Sequence, residues 1–384
     1  PTLNAANRRR CLSESPTLRI VTVPPVFPFA VRRLVKEHDL VMLVEGSTYM
    51  DSWTSALLWL FLWATHCAHG MGKPCLAYAV DAGRLSPANQ RRVRREASRT
   101  DLIIVRSQAA AERLHACGVT APIEATADNA FTFSPAAEDE GWVLHEWPEA
   151  GSGLAGLAVV DFYLWPVVIR PWGPRARCYR WPYYYSHSAE RTRAAAALAA
   201  DYAALADHLV QRHGKAIALI CMEQLDEPLA EEVNRRMAQP GRARVFSSRQ
   251  HNASQMTVLL RNLDVLVTSR YHACVLSLAA QVPQLAVGHD LRLKTIYGEM
   301  GLLNTLFLDH QGPSLRQALV ERADRLLADP AAYRRILRRG YEERLAQARR
   351  NRELLRGFVR DRGWLGMPTA DPAWQGTACS RTSF

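Results

Sequence analysis

A strand-to-helix junction near residue 270 carries the side chains best suited to chemistry. Residues 265–267 form a short, β-branched apolar run that predicts a buried strand, and the apolar pattern of residues 273–280 predicts the following helix. Arg270 and His272 lie between the two. In an open α/β sheet this position is the ligand crevice at the carboxyl ends of the strands, and a helix N-terminus there favours an anion.

The same residues also have a purely structural interpretation. Arg270 could cap a neighbouring carbonyl or pair with an acid, and His272 could be a satisfied histidine beneath the helix. A second group of charged and polar residues follows the next predicted strand. It strengthens the functional interpretation but does not exclude the structural one. Its members are His289, Asp290, Arg292 and Lys294.

Apolar runs and helical patterns alternate along most of the chain. In the first half, strands are predicted at residues 18–23, 40–44, 74–80, 101–105 and 123–125, with helices at 52–69, 89–98 and 108–117. The second half repeats the alternation from residue 154 and ends in helices at 315–328 and 331–358. Alternation of this kind predicts parallel sheets with helices on both faces. We therefore expect an α/β protein with two Rossmann-like doubly wound domains around a central cleft and a helical C-terminal extension.

The domain boundaries are predicted from the segments that lack the strand and helix pattern. Residues 136–153 are rich in Glu, Pro, Gly and Ala and predict a linker. The N-terminal domain is then predicted at 1–135, the second domain at 154–312, the terminal helices at 313–360 and a loose tail at 361–384. Where the two domains face each other, Arg106 and Arg270 could converge.

Composition restricts the class of protein and partner. The net charge of +11 favours anionic partners such as phosphorylated metabolites, nucleic acid or an anionic membrane surface. The apolar stretch 56–65 is too short to span a bilayer, and residues 1–20 lack the apolar core of a signal peptide. The eight cysteines show no zinc-ligand spacing, and Cys75, Cys221 and Cys274 lie in apolar runs as expected for buried, reduced thiols. We expect a cytoplasmic protein without a bound metal.

An aromatic and arginine-rich stretch, residues 162–188, has two interpretations. It could stack on sugar rings or nucleic-acid bases, or it could pack as a lid or dimer contact. The chain contains no GxxxxGK[ST] and no GxSxG motif, so the P-loop of nucleotide-binding proteins and the nucleophile elbow of α/β-hydrolases are absent from the sequence.

An ordered series of segments resembles the polysaccharide pyruvyl transferases. The segments are DLVMLVEGS (39–47), GKPCLAYAV (72–80), DLIIVRS (101–107), ERLHACGV (112–119), TADNAF (126–131), TSRYHA (268–273) and VPQLAVGHDLRLK (282–294). The resemblance covers residues 39–303 in the family's order. It departs from the family where only Gly46 stands in place of a glycine run and where Ser107 replaces a frequent acid.

The resemblance implies a GT-B-like fold and transfer of the enolpyruvyl unit of phosphoenolpyruvate onto two hydroxyls of a sugar. It implies a glycan acceptor, either free or lipid-linked, no nucleic-acid partner and no cofactor. Basic C-terminal helices would permit peripheral contact with the inner membrane face, although a solvated helix face explains them equally well.

The resemblance also implies site residues. His272, Arg270 and Arg106 are the expected catalytic residues, with the arginines as an anion clamp and the histidine as general acid or base. The expected substrate-binding residues are Lys294, Gly46, Ser47, Asp128, Ser269, His289 and Asp290. Two rival functions remain open at this point: a nucleotide-sugar-dependent glycosyltransferase of GT-B type, and a non-catalytic protein that binds glycan or nucleic acid.

Overall fold

The computed structural model describes residues 19–364, except positions 45, 53, 165, 166, 187 and 289 and the side chains of 176 and 180. The described chain divides into two compact units. The first holds the residues up to Asp128 together with Tyr163–Thr192, and the second holds Asn129–Phe162 and the residues from Arg193 onward. The predicted binding residue His289 and the predicted tail from residue 365 onward lie outside the described residues.

The first unit is built on a four-stranded parallel sheet whose strands follow chain order. Its strands are β1 Val41–Leu43, β2 Cys75–Val80, β3 Leu102–Val105 and β4 Ile123–Ala125, and its helices are α1 Pro28–Lys36, α2 Ser55–Gly70, α3 Pro87–Ala97 and α4 Gln108–Ala116. Hydroxyl side chains cap α2 and α4: Thr54 accepts the Ala56 N–H at the start of α2, and Ser107 accepts the Ala110 N–H at 3.1 Å at the start of α4. Ser107, which departs from the family pattern, is therefore a helix cap.

The aromatic stretch forms a small antiparallel sheet in the first unit. Its strands are β6 Val167–Ile169, β7 Cys178–Arg180 and β8 Tyr183–Tyr185, with β8 in the middle. Trp172 and Trp181 remain largely exposed. The apolar residues of β6 pair with the tyrosines of β8 across the two strands. Stacking of these aromatic rings on a sugar stays a prediction.

The second unit contains a six-stranded parallel sheet in the order β10-β9-β5-β11-β12-β13. The strands are β5 Leu154–Ala158, β9 Ala216–Cys221, β10 Ala243–Ser247, β11 Val265–Thr268, β12 Gln284–Val287 and β13 Phe307–Leu308. Numbered within the unit, the order is 3-2-1-4-5-6, the Rossmann arrangement. Its topological switch point therefore lies between β5 and β11.

Helices cover this sheet and extend beyond it. They are α5 Trp142–Glu146, α6 Ala189–His213, α7 Glu227–Arg236, α8 Ala253–Arg261, α9 Tyr271–Leu278, α10 Leu291–Glu299, α11 Leu303–Leu306, α12 Leu315–Ala328 and α13 Pro330–Arg360. The predicted α/β fold class and the helical C-terminal extension are confirmed. The predicted helix 331–358 corresponds to α13 almost to the residue.

Two predictions about local structure need correction. Residues 19–23 contribute an isolated bridge at Thr22, not a strand. The stretch 136–153, predicted as a linker, is folded within the second unit, because Trp142 and Trp147 are buried and pack on Phe246 at ring-centroid distances of 5.8 and 5.9 Å. Burying two tryptophans outweighs the weak local pattern around them. The domain boundaries as such stay predictions.

The apolar runs of the described residues lie in helices and strands within the two units. None of the helices in this part of the chain combines the length and the hydropathy needed to cross a bilayer. The apolar residues 56–65 lie in the 16-residue helix α2. The six described cysteines are free thiols, and Cys75, Cys221 and Cys274 are buried as predicted.

Candidate functional site

Arg270 lies at the switch point of the second sheet, two residues beyond Thr268, the last residue of β11. Thr268 fixes its backbone, because the Thr268 hydroxyl accepts the Arg270 N–H at 3.0 Å and donates to the Arg270 carbonyl at 2.9 Å. The Ser269 N–H donates to the carbonyl of Ala158 at the end of β5. Strand pairing thus holds Arg270 where ligands bind in sheets of this order.

The guanidinium of Arg270 is held by two acidic residues. Asp226 accepts two hydrogen bonds, from Nε at 2.9 Å and from Nη2. Glu223 lies on the other edge, with its Oε1 3.0 Å from Nη1. The two acids differ in environment, because the Asp226 side chain is fully buried while that of Glu223 is 51% exposed. The interpretation of Arg270 as the partner of an acid is therefore confirmed.

Burial and charge act in opposite directions on this pair. Burial raises the pKa of the Asp226 carboxyl to about 6, and the Arg270 guanidinium opposes that rise. Burial works against the charge of Arg270, but Asp226 and Glu223 outweigh it and raise the pKa of the guanidinium. Arg270 is thus a permanent cation, and Asp226 is the group whose charge depends on pH.

His272 is the second residue of α9 and is exposed. Its ring meets the ring of Tyr271 edge-on at 5.4 Å. The interpretation of His272 as a buried histidine beneath the helix is therefore wrong, since the apolar positions of α9 are filled by Ala273 and Cys274. An exposed imidazole two residues from Arg270 is accessible to a ligand at the switch point.

Three other predicted binding residues of the second unit lie in the described part of the chain, and each of them has a structural contact. Asp290 caps α10 by accepting the Arg292 N–H at 2.8 Å and pairs with the Arg292 guanidinium at 2.7 Å. The buried Ser269 hydroxyl lies 2.9 Å from the hydroxyl of Tyr202. The ammonium of Lys294 lies 5.5 Å from the ring centroid of Phe307. A substrate role for Ser269, Asp290 and Lys294 stays a prediction.

Three predicted residues of the first unit come together at the carboxyl ends of β1, β3 and β4. Arg106 lies 2.6 Å from Asp128, and both side chains are almost completely buried. Gly46 packs directly against the same guanidinium. We call Gly46, Arg106 and Asp128 the Arg106 cluster. Ser47, the next predicted residue, is also buried.

The backbone of β2 adapts to the Arg106 cluster. The pairing of β2 with β3 shifts between Ala77 and Val80, and Ala79 has a positive φ of 50°. This conformation turns the Ala79 carbonyl toward Arg106, whose Nε donates to it at 2.9 Å. A non-glycine residue in this region costs about 1–2 kcal/mol, so the contact is maintained against local strain.

Gly46→Ala is expected to lower the free energy of unfolding by about 1–3 kcal/mol, as overpacking of a filled site does. A Cβ at this position would lie 2.6–2.9 Å from three guanidinium atoms of Arg106, so the cation must leave its place beside Asp128. Urea unfolding measures the loss. The matched control is Gly70→Ala, because Gly70 has no atom within 4 Å of its Cβ position. Equal stability of the two variants would contradict the packing described here.

Sequence reasoning missed Asp226 and Glu223, the partners of Arg270. The available signal was the segment MEQLDE, which places three acids directly after the buried strand β9. Acids at the carboxyl end of a strand are candidates for the same crevice as Arg270. The pairing of Asp226 with Arg270, 44 residues away, depends on the strand order, which the sequence pattern does not contain.

Comparison with known proteins identifies the family. The family model for polysaccharide pyruvyl transferase matches residues 9–290. The chain belongs to the polysaccharide pyruvyl transferase family. Membership indicates pyruvyl transferase activity in the biosynthesis of polysaccharides, as the ordered segments predicted. No protein of curated function matches this family member in a sequence search.

Solved structures similar to this pyruvyl transferase family member share its fold at low sequence identity. HepE from Anabaena in complex with UDP has a TM-score of 0.53 at 12% identity, over 87% of this chain and 82% of that chain. MnaA from S. aureus, a UDP co-structure, has a TM-score of 0.57 at 11% identity, over 90% and 82%. The UDP-GlcNAc 2-epimerase from Neisseria meningitidis bound to UDP-GlcNAc has a TM-score of 0.57 at 8% identity, over 87% and 80%. These likenesses confirm the predicted GT-B-like fold class.

Proposed function

We propose that this protein transfers the enolpyruvyl unit of phosphoenolpyruvate onto two hydroxyls of a sugar, forming a cyclic ketal and releasing phosphate. The observation that carries the proposal is the Arg270 guanidinium at the switch point, held by buried Asp226 and beside exposed His272. A cation in this place suits a donor that carries both a carboxylate and a phosphate.

Glu223 is proposed to occupy the place of the donor's anionic group. Asp226 uses the Nε and Nη2 edge of Arg270, whereas the Nη1 edge faces the carboxylate of Glu223. A donor carboxylate or phosphate offers the same oxygen geometry as Glu223. Because the Glu223 side chain is half exposed, its carboxylate can return to water at little cost when an anion arrives.

His272 is proposed to carry the proton steps. It protonates the methylene carbon of phosphoenolpyruvate, and one sugar hydroxyl bonds to C2 as that hydroxyl loses its proton. The C2–O bond to phosphate then breaks, and the second hydroxyl bonds to C2 and loses its proton. One of the two hydroxyl protons balances the proton gained by the methylene carbon, and the other leaves with phosphate.

Other residues complete the proposal. Lys294 is assigned to the leaving phosphate, and Arg106 is a proposed second anion-binding residue held by Asp128 in the first unit. The acceptor is a sugar of a cell-surface or exopolysaccharide precursor, free or lipid-linked, used in the cytoplasm. Arginines of α13 support peripheral contact with an anionic membrane face.

The UDP bound in HepE and MnaA supports a second candidate, a nucleotide-sugar-dependent transferase. The two candidates differ in the donor that stabilises the protein. A ligand at about 100 times its dissociation constant adds about 2.7 kcal/mol to the free energy of unfolding. We expect this gain with phosphoenolpyruvate and not with UDP-glucose. A gain with UDP-glucose alone would replace the first candidate by the second.

Glu223→Gln tests the displacement of Glu223 by the donor. Removing the competing charge is expected to tighten phosphoenolpyruvate binding about fivefold, which corresponds to roughly 1 kcal/mol. The matched control is Glu231→Gln, the same charge change at an exposed position of α7. Titration calorimetry measures both variants. Unchanged phosphoenolpyruvate affinity in Glu223→Gln would show that the donor does not displace Glu223. The proposed transfer reaction is tested separately, by release of phosphate that depends on an added glycan.

A further inference from the structure

Helices α6 and α12 bring two histidines and an aspartate together within the second unit. Nε2 of His208 and Nε2 of His213 each lie 2.7 Å from the same oxygen, Oδ1 of Asp324. The three side chains are between 24% and 41% exposed, so they form a half-open cluster at the surface. The proposed transfer reaction uses none of them.

The spacing of the three ligand atoms approaches that of a metal site. All three lie within 4.8 Å of one another, and each offers a lone pair when the imidazoles are neutral. In a tetrahedral zinc site with bonds of about 2.0–2.1 Å, neighbouring ligand atoms are about 3.3 Å apart. Each Nε2–Oδ1 distance of 2.7 Å is therefore about 0.6 Å shorter than the spacing that a zinc ion between these atoms requires.

We propose that His208, His213 and Asp324 bind a divalent transition-metal ion of the zinc class. Two imidazoles and one carboxylate suit zinc, cobalt or nickel, whereas magnesium prefers sites made only of oxygen ligands. Water fills the remaining coordination position, since the cluster is open to solvent. The site is separate from the Arg270 switch point and does not depend on the proposed function.

The position of the site on α6 gives the ion a structural consequence. Metal ligation joins the end of α6 to α12, beside a second link in which Arg316 of α12 lies 3.1 Å from Asp201 of α6. The same helix carries Tyr202, whose hydroxyl contacts Ser269 next to Arg270. A bound ion would therefore stabilise the helix pair that supports the switch point.

The sequence alone conceals this cluster. A spacing of five residues places two side chains on different faces of a helix, and histidine ligands on one helix usually recur at four. His213 reaches the cluster because it is the last residue of α6, followed by Gly214 at a positive φ of 63°. The third ligand lies 111 residues further along the chain.

Metal titration of the full chain tests the proposal. We expect saturable binding of one Zn²⁺ per chain, a higher unfolding temperature with Zn²⁺ but not with Mg²⁺, and visible d–d absorption when Co²⁺ is bound. His213→Gln and Asp324→Ala are each expected to weaken Zn²⁺ binding by at least about tenfold and to abolish the temperature shift. Asp201→Asn, which breaks the neighbouring link but removes no ligand, should bind Zn²⁺ normally.

Two results would overturn the metal site. One is the absence of saturable Zn²⁺ binding to the wild-type chain, which would leave the cluster as an ion pair between two helices. The other is unchanged Zn²⁺ affinity in His213→Gln, which would place the ion elsewhere. His213 ends its helix and is partly exposed, so this variant keeps the test valid even if Asp324→Ala fails to fold.

Discussion

Arg270→Ala is expected to lower the free energy of unfolding by about 3–5 kcal/mol, the cost of leaving a buried charge without its partner. The Asp226 carboxylate is fully buried and receives two hydrogen bonds from Arg270. Arg270→Lys keeps the charge but cannot supply both bonds, so we expect an intermediate loss.

Urea unfolding combined with a second substitution measures this coupling. In the Arg270→Ala background, Asp226→Asn removes the uncompensated charge and is expected to restore part of the lost stability. The matched control is Arg292→Ala, since Arg292 pairs with a partly exposed acid, Asp290. A loss no larger than that of Arg292→Ala would show that the buried pair contributes little.

The pH dependence of the loss follows from the pKa of Asp226. Burial raises that pKa to about 6, above the ordinary value near 4, so the folded state binds the proton more tightly than the unfolded chain. Ionisation of Asp226 therefore lowers the free energy of unfolding as pH rises from about 4 to about 6, and this loss is complete above the folded-state pKa. In Arg270→Ala no cation opposes the effect of burial on Asp226, so its ionisation lowers the free energy of unfolding by more than in wild type. The stability gap between wild type and Arg270→Ala is expected to narrow as pH falls from 7 toward 5, and a gap independent of pH would contradict the assignment.

His272→Ala is expected to reduce kcat by about 10²–10⁴-fold, the usual contribution of a general acid or base. The free energy of unfolding should change by less than about 0.5 kcal/mol, because the side chain is exposed at the start of α9. Release of phosphate from phosphoenolpyruvate in the presence of an acceptor glycan measures the rate. This prediction depends on the proposed function.

A matched histidine separates chemistry from general damage. His145 is also exposed and lies on α5 in the same unit, so His145→Ala should retain normal turnover. A rate loss in His272→Ala of less than tenfold would remove His272 from the proton steps. A similar loss in both variants would point to an effect of either substitution on folding and not on catalysis.

The sequence determined the local elements and the family. Alternation of apolar strands and amphipathic helices predicted two parallel sheets, and the helical pattern of residues 331–358 predicted the ends of α13 to within two residues. Arg270 and His272 were placed correctly at the end of a strand and the start of a helix. These features depend on residues within a few positions of one another, and the periodicity of side chains records them directly.

Only the tertiary structure decided which distant residues meet. Parallel strands are joined by crossovers of a dozen or more residues, so the strand order 3-2-1-4-5-6 and the pairing of Arg270 with Asp226 leave no trace in local periodicity. The same holds for Gly46 against Arg106, which lie after different strands, and for His213 beside Asp324. Each contact joins side chains from separate elements, and its existence follows from how whole sheets and helices pack.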